Sequence, residues 1–432
     1  MIGDLEVTRA TCALLRQRHV DVVHLLQPSD LELRSHFTTD IEAVAVLVRG
    51  DVSALRYVLL VEQISPGVRL VATIFDRTLS EKVASVVPNC TVRSPADSSV
   101  PSIIGACLDD GTLSVDLVAD PPRRLRRGAD GALRFEPLPV RRSGWLRPGS
   151  NPIGRLRAHD GATRVLLLAL LGLTGIVVSD WLLNVAALKR SPVDAFYAAT
   201  RVVTTVGPGD ADVQAPTWYL ALASTFMLLT VVITAIFTAG VVDRVMSARS
   251  LTLTGRRVPP RRNHVVIVGL GQVGIRLAIA LRALDIAVIV VEQDAGAPNL
   301  RLARTAGVPV MVGHGQDVDV LRRVSLSRAR AVAAMGSNDL DNIEVAIAAS
   351  SVAPRIPIVL RAGENDLIAE TRSLFRIGEV RDVSGLTAAA VVETLSGAEP
   401  LAVFVEGTRV VVLDRRGEHS VSATVRCDCA AG

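Results

Sequence analysis

The stretch DAFYAATRVVTTVGPGD, residues 194–210, lies between two long apolar runs, residues 165–188 and 218–242. At roughly 20 residues per crossing, each run is long enough to span a bilayer as a helix. Just ahead of the stretch, Ser191 is a good N-cap, Pro192 fits the first helical position and Asp194 stands near the third. A short helix is therefore expected over about 192–203. Its C-terminal end carries partial negative charge and would face a cation. Thr204, Thr205, Val206, Gly207, Pro208, Gly209 and Asp210 follow. In an extended segment containing glycines, carbonyls can turn to one side and replace an ion's hydration shell. Such non-helical backbone is tolerated at membrane depth only where it is buried in protein or lines a water-filled cavity.

With Asp194-Ala195-Phe196-Tyr197 upstream and a helix on each side, TVGPGD resembles the pore loop of two-helix potassium channels. That resemblance implies a selectivity filter at residues 204–210, potassium as the permeant ion and a ring of four subunits, because one chain supplies one wall. Two residues depart from the family pattern. Pro208 stands where Tyr or Phe is usual; it has no N–H and a fixed φ, which changes the packing outside the filter. Arg201 adds a positive charge to the short helix. The residues alone also allow an extracytoplasmic loop with an ordinary Gly-Pro-Gly turn.

Outward from the spans, arginines crowd both flanks: residues 123, 124, 126, 127, 141, 142, 147, 155, 157 and 164 before the first, and 244, 249, 256, 257, 261 and 262 after the second. The positive-inside rule then puts both termini in the cytoplasm and the loop outside, in a multi-pass protein of the plasma membrane. The same arginines could meet anionic lipid headgroups. No nucleic-acid-binding motif accompanies them, so no nucleic-acid partner is expected. Lys82 and Lys189 are the only lysines, a bias towards Arg that fits a GC-rich bacterial genome. Mean hydropathy is +0.39, as expected for a mixed membrane and soluble chain of 432 residues. The five cysteines show neither a disulfide framework nor a paired CxxC set, and no metal site is expected.

After the second span the chain reads HVVIVGLGQVG, residues 264–274, a strand entering and a helix leaving a glycine loop. A second strand, over 286–291, ends at Glu292. This is a dinucleotide fingerprint in its proper setting. Gly269 allows the tight turn, Gly271 lets backbone approach a pyrophosphate, and Gly274 lets helix and strand pack. Phosphates would sit on the helix N-terminus at Gln272 and Val273. Glu292 can accept hydrogen bonds from ribose hydroxyls and disfavours a 2′-phosphate, so NAD(H) or an adenine nucleotide is expected rather than NADP. Residues 264–396 resemble the RCK domain, the Trk-type nucleotide-binding domain that regulates potassium conductance. The resemblance includes Gly313-His314-Gly315, Asp317 to Leu321, Ala331 to Gly336, Ser337-Asn338-Asp339 and Asn342. It implies ligand contacts at Gly313, His314 and Ser337. His314 stands where the family usually has Asp, which leaves the ligand open.

Residues 1–120 alternate short strands, over 20–26, 43–48 and 69–74, with helical patterns. They align without gaps against the C-terminal domain at an offset of 288: Ala43-Val44-Ala45 on Ala331-Val332-Ala333, Asp51 on Asp339, Pro66 on Pro354, Val71 on Val359. In that register Met1 falls opposite Ile289, so the N-terminal copy is expected to lack the counterpart of residues 264–288, and a natural start upstream of Met1 is expected. The alternative is a degenerate copy completed by another subunit.

The expected fold is an α-helical two-transmembrane pore domain with cytoplasmic α/β Rossmann-like (RCK) domains. An incomplete or degenerate RCK-like domain over 1–120 is followed by an Arg/Pro/Gly-rich linker, 121–163. The channel domain occupies 164–246, a second linker 247–262, the RCK domain 263–398, and a short β segment with a tail 399–432. Asp180, in the outer part of the first span, should face protein or water. The function expected is a homotetrameric potassium channel in a lipid membrane, gated by a nucleotide, with no catalytic residue and no enzyme activity. A nucleotide-binding regulatory subunit of a separate transporter, or a membrane-tethered NAD-dependent oxidoreductase, are the alternatives.

Overall fold

A computed structural model describes residues 1–37, 41–109, 111–138, 161–204, 216–250, 253–254, 262–363, 378–407, 409–415 and 417–421. The chain forms two compact units: residues 1–143 with 253–432, and residues 144–252.

The N-terminal half of the first unit runs α1 (Glu6–Gln17), α2 (Asp30–His36), β1 (Ala43–Val46), α3 (Asp51–Ile64), β2 (Arg69–Thr73), α4 (Arg77–Val86), β3 (Cys90–Arg93) and α5 (Pro95–Leu108). An antiparallel sheet of β4 (Thr112–Asp116), β5 (Arg123–Arg127) and β6 (Leu133–Pro137) follows. The second unit holds α6 (Gly161–Ala186), α7 (Pro192–Val203) and α8 (Thr217–Ser250). The chain then returns to the first unit as β7 (Leu253–Thr254), β8 (His264–Val268), α9 (Gln272–Ala283), β9 (Ala287–Glu292), α10 (Leu300–Thr305), β10 (Val310–Val312), α11 (Val318–Arg323), β11 (Ala331–Ala334), α12 (Asp339–Val352), β12 (Ile358–Ala362), β13 (Glu379–Asp382) and α13 (Val383–Leu395). It closes with β14 (Ala402–Glu406), β15 (Arg409–Asp414) and β16 (Gly417–Val421), a three-stranded sheet where a short β segment with a tail is expected.

The C-terminal half is a doubly wound sheet of order β13-β12-β11-β8-β9-β10, all parallel, with β7 antiparallel on the β10 edge. β8 lies at its centre and is buried along its whole length, which its unbroken His-Val-Val-Ile-Val sequence requires. The crossovers turn opposite ways from β8 and β11, so a cleft opens where those two strands end.

The repeat is real, but it has two registers. From α2 onward the offset of 288 holds: α2 falls on α11, β1 on β11 and α3 on α12. Before α2 the offset is 266. α1 and α9 then coincide residue for residue, each 12 residues long. Gly3 falls on Gly269, and both have positive φ; His19 falls on Asp285, and both are left-handed, at 58° and 59°. The hydrogen bonds correspond too: Gly3 N–H to Leu25 O matches Gly269 N–H to Val291 O, and Leu47 N–H to Ile2 O matches Met335 N–H to Val268 O. The expectation that Met1 lies opposite Ile289 and that the first helix and glycine turn are missing is therefore overturned. Ile2 bridges Leu25 on one side and Val46 on the other, filling the β8 position. The segment without a counterpart is 22 residues, the difference between offsets 288 and 266, and covers α10 and β10. A single ungapped register cannot carry an internal deletion, which is why it misplaced everything before residue 27.

The linker reading of 121–163 is also corrected over its first part. Arg123-Arg124-Leu125-Arg126-Arg127 is strand β5, with Leu125 fully buried. Its arginines meet carboxylates: Arg123 with Asp116 at 3.0 Å, Arg124 with Asp109 and Glu136 at 3.3 and 3.1 Å. Arg127 pairs with both Glu406 and Glu418, each at 2.6 Å. These residues are sheet partners rather than a membrane flank, and the pairing of Arg127 is non-local. Within the second expected linker, Leu253 and Thr254 pair with Met311 and Val310.

The two halves exchange helices. α5 packs its Ala96, Val100, Ile103, Ile104 and Cys107 into the core of the C-terminal sheet, beside Val265, Ile267, Leu277 and Val290. Reciprocally, α13 lays Leu386, Val391 and Val392 against Ala45, Leu47 and Val71 of the N-terminal sheet and against Leu14 and Leu15 of α1. Burial pushes the Cys107 thiol up to about 12, so it stays an inert, protonated core group.

His264 is fully buried at the start of β8, and its Nε2 donates to the Val324 carbonyl at 2.9 Å. Burial lowers its pKa, against the raising effect of backbone hydrogen bonds to Val324 and Arg262. The unfolded chain therefore binds this proton first. Stability is unaffected by this group above about pH 6.5 and falls as pH drops below it, by at most about 1.4 kcal/mol per unit. A melting-temperature series from pH 7.5 to 5 should show this loss, and His264→Gln should flatten it. Equal slopes in both proteins would show that the group is not responsible.

Candidate functional site

In the second unit, α6 and α8 contain apolar stretches, Leu168–Ala186 and Thr217–Val242, of 19 and 26 residues. Each is long and apolar enough to cross a membrane by length and composition. α7 starts and stops where its sequence signals lie. Ser191 Oγ accepts from Asp194 N–H at 3.2 Å and donates to the Asp194 carboxylate at 2.7 Å, and Pro192 takes the first helical position. Trp181 Nε1 donates to the Pro192 carbonyl at 3.0 Å, which ties the helix start to α6. Ala195, Ala198, Ala199 and Val202 form the buried face of α7, and their small side chains permit close approach of its neighbours. Val193, Phe196 and Tyr197 point outward and are largely exposed.

Asp180 and Asn184 are buried inside this unit, so Asp180 faces protein. The Asn184 side chain and the Tyr219 hydroxyl exchange hydrogen bonds at 3.0 and 3.2 Å, linking α6 to α8. Arg201 lies over the Tyr197 ring, 5.9 Å from its centre. Thr204 caps α7, its hydroxyl donating to the Thr200 carbonyl at 2.8 Å. The other expected filter residues, Thr205, Val206, Gly207, Pro208, Gly209 and Asp210, lie outside the described residues.

The cleft of the first unit is built from the β8–α9 turn. Gly269 has φ +99°, and a Cβ there would come within 2.9 Å of the Gly336 nitrogen. At Gly274 a Cβ would sit 2.0 Å from the Gly269 carbonyl oxygen. Backbone conformation and helix packing thus demand both glycines. Gly271 differs. Its φ of −68° suits any residue, and a Cβ there would meet no atom of the described residues within 4 Å. Among the described residues nothing requires glycine at this position; open space in front of it does suit a ligand brought close to the backbone. α9 begins at Gln272 with no side-chain cap, so the first-turn N–H groups of Gln272, Val273 and Gly274 are presented to that space.

Glu292, at the end of β9, aims its carboxylate at the same turn. One oxygen accepts from Leu270 N–H at 2.6 Å and the other from Asp294 N–H at 3.0 Å. Its remaining lone pairs can accept from two vicinal hydroxyls. Asn299 Nδ2 holds the Leu270 carbonyl at 2.9 Å from the other side. Gly313 N–H bonds the Glu292 carbonyl at 2.8 Å, which places Gly313 and the exposed His314 at the end of the neighbouring strand. Ser337, exposed, follows Gly336 at the end of β11. Every expected ligand residue of this half therefore lies at the C-terminal ends of β8, β9, β10 and β11.

Asn342 has a supporting role. Its side chain exchanges hydrogen bonds with Gly336 and donates to the Arg361 carbonyl at 3.0 Å, clamping β11 to β12. Arg361 went unnoticed in the sequence. Burial at the end of β12 lowers its pKa, against the charge of Asp339. The repeat held a clue to this corner. Asp339 accepts from Gly363 N–H at 3.0 and 3.2 Å, just as its counterpart Asp51 accepts from Phe75 and Asp76, both at 2.9 Å.

Residues 265–377 match the TrkA-N domain family. An uncharacterized protein of Methanothermus fervidus is 28% identical over 211 residues, covering 48% of this chain and 32% of the relative. Potassium channel protein 1 of Methanocaldococcus jannaschii is 23% identical over 178 residues, covering 39% of this chain and 52% of the relative. The chain thus spans about a third and about half of these two proteins. Among solved structures, the GsuK RCK domain is 11% identical, with 92% of this chain and 76% of that one covered and a TM-score of 0.48.

Proposed function

We propose that this chain is one subunit of a tetrameric cation channel of the plasma membrane, conducting potassium, whose opening is set by NAD(H) or an adenine nucleotide bound at the β8–α9 turn. The observation that carries the reading is a conjunction on one chain. A short capped helix is held between two bilayer-length apolar helices, and the same chain contains a TrkA-N domain with an open phosphate cradle. The similarity to a potassium channel protein points the same way. Glu292 favours a ligand with free ribose hydroxyls over one carrying a 2′-phosphate. The mechanism is a population shift: a ligand that prefers one arrangement of the cytoplasmic domains moves the pore equilibrium by its difference in affinity. Conduction of this kind needs no catalytic group.

A second reading, a nucleotide-binding regulatory subunit with a silent pore, is favoured by one observation. Arg201 places a guanidinium in the last turn of α7, where it opposes the helix's partial negative charge. Flux through purified protein in liposomes separates the two. Potassium flux that exceeds sodium flux and changes with added NADH or ADP is the expected result. No flux beside a working control channel would select the regulatory subunit. NADH consumption by the same sample would instead select an oxidoreductase.

A further inference from the structure

The two-register repeat places every ligand-binding position of the C-terminal half opposite a named residue, or a gap, in the N-terminal half. Gly269 has its counterpart in Gly3, with φ +145°, so the turn itself persists. Gly271, the open position, is matched by Leu5, whose side chain packs against the N-terminal core. Gly274 is matched by Thr8, which is fully buried and donates from Oγ1 to the Leu47 carbonyl at 3.0 Å. Gln272 is matched by Glu6, with Asp4 beside it, so carboxylates stand where the C-terminal half presents N–H groups to an anion. Glu292 is matched by Leu26, 48% exposed and without any hydrogen-bonding side chain. Gly313 and His314 fall in the 22 residues that have no counterpart, and Ser337 is matched by Arg49.

From this we infer that the N-terminal half takes no nucleotide, and that each chain carries one nucleotide site, not two. The reasons are steric, electrostatic and chemical at once. Leu5 puts a leucine at the position where Gly271 leaves open backbone, Asp4 and Glu6 set negative charge at the helix start, and neither the Glu292 carboxylate nor Gly313-His314 has a counterpart to hold an adenosine. The N-terminal half keeps the backbone turn of its partner but not the residues that would hold a nucleotide. A ring of these chains would then alternate responsive and unresponsive halves, so ligand would act on one face of each helix-exchanged pair.

This inference rests on the nucleotide reading above, and one experiment tests both separately. Full-length protein in detergent is titrated by equilibrium dialysis with radiolabelled NADH and ADP, beside the Gly271→Asp variant. One bound nucleotide per chain, falling to none in Gly271→Asp with an unchanged melting temperature, is the expected result. Two per chain, one of them persisting in Gly271→Asp, would overturn the inference and leave the nucleotide reading standing; binding wholly undiminished in Gly271→Asp would place the ligand away from the β8–α9 turn and overturn both. No binding of either ligand to the native protein would overturn the nucleotide reading and, with it, the single site.

Discussion

Gly271→Asp is expected to lower nucleotide affinity at least about 100-fold, roughly 2.7 kcal/mol, without destabilising the fold. The two halves of this expectation come from different observations. A Cβ at residue 271 meets no atom of the described residues within 4 Å, and the backbone there is conformationally ordinary, so the substitution costs the folded state little. The same side chain would project into the space before the α9 N-terminus and set a negative charge against the phosphates that the helix would otherwise attract. Gly274→Ala makes the contrast. Its methyl group would collide with the Gly269 carbonyl, so it should lower the melting temperature as well as binding. Calorimetric titration with NADH and ADP, beside thermal unfolding, reads both quantities. If Gly271→Asp binds as tightly as the native protein, the open position is not the ligand's approach and the cleft assignment fails.

What could be read from residue order, and what could not, divides along the distance over which information acts. α7 was legible to the residue because Ser191, Pro192 and Asp194 act on each other within one helical turn. The β8–α9–β9 unit was legible because glycine spacing, strand and carboxylate lie within 29 residues, His264 to Glu292. β5 was not. Four arginines around one leucine look solvated, and for Arg127 the partners Glu406 and Glu418 arrive from 279 and 291 residues away. The repeat was visible but mis-registered, because its first 26 residues are shifted by a deletion that local comparison cannot see. The coincident helices α1 and α9, the positive-φ pairs Gly3/Gly269 and His19/Asp285, and the matching backbone hydrogen bonds expose the second offset. Helix exchange was invisible. α5 and α13 are apolar nearly all round, which signals burial and not which sheet provides it.

That exchange supports the second large expectation, which is crosswise. Ile103 on α5 has its repeat counterpart in Val391 on α13, and both are fully buried. Ile103 lies in the core of the C-terminal sheet and Val391 in that of the N-terminal sheet. Ile103→Ala should therefore destabilise the half that does not contain it, by about 2–5 kcal/mol, with Val391→Ala acting somewhat less strongly in the opposite direction. Hydrogen exchange resolves the direction. Faster exchange in β8, β9 and β11 for Ile103→Ala, and in β1 and β2 for Val391→Ala, is the expected pattern. Ile103→Ala should also weaken nucleotide binding, since α9 itself packs against α5 through the core that includes Leu277 and Leu281. Arg276 adds a polar tie on the same helix, donating to Asp97 at 2.7 Å and to the Phe75 carbonyl at 2.9 Å. Exchange that quickens only in the half containing each substitution would mean that each half keeps its own helix. The N-terminal half would then lose its physical route to the nucleotide cleft.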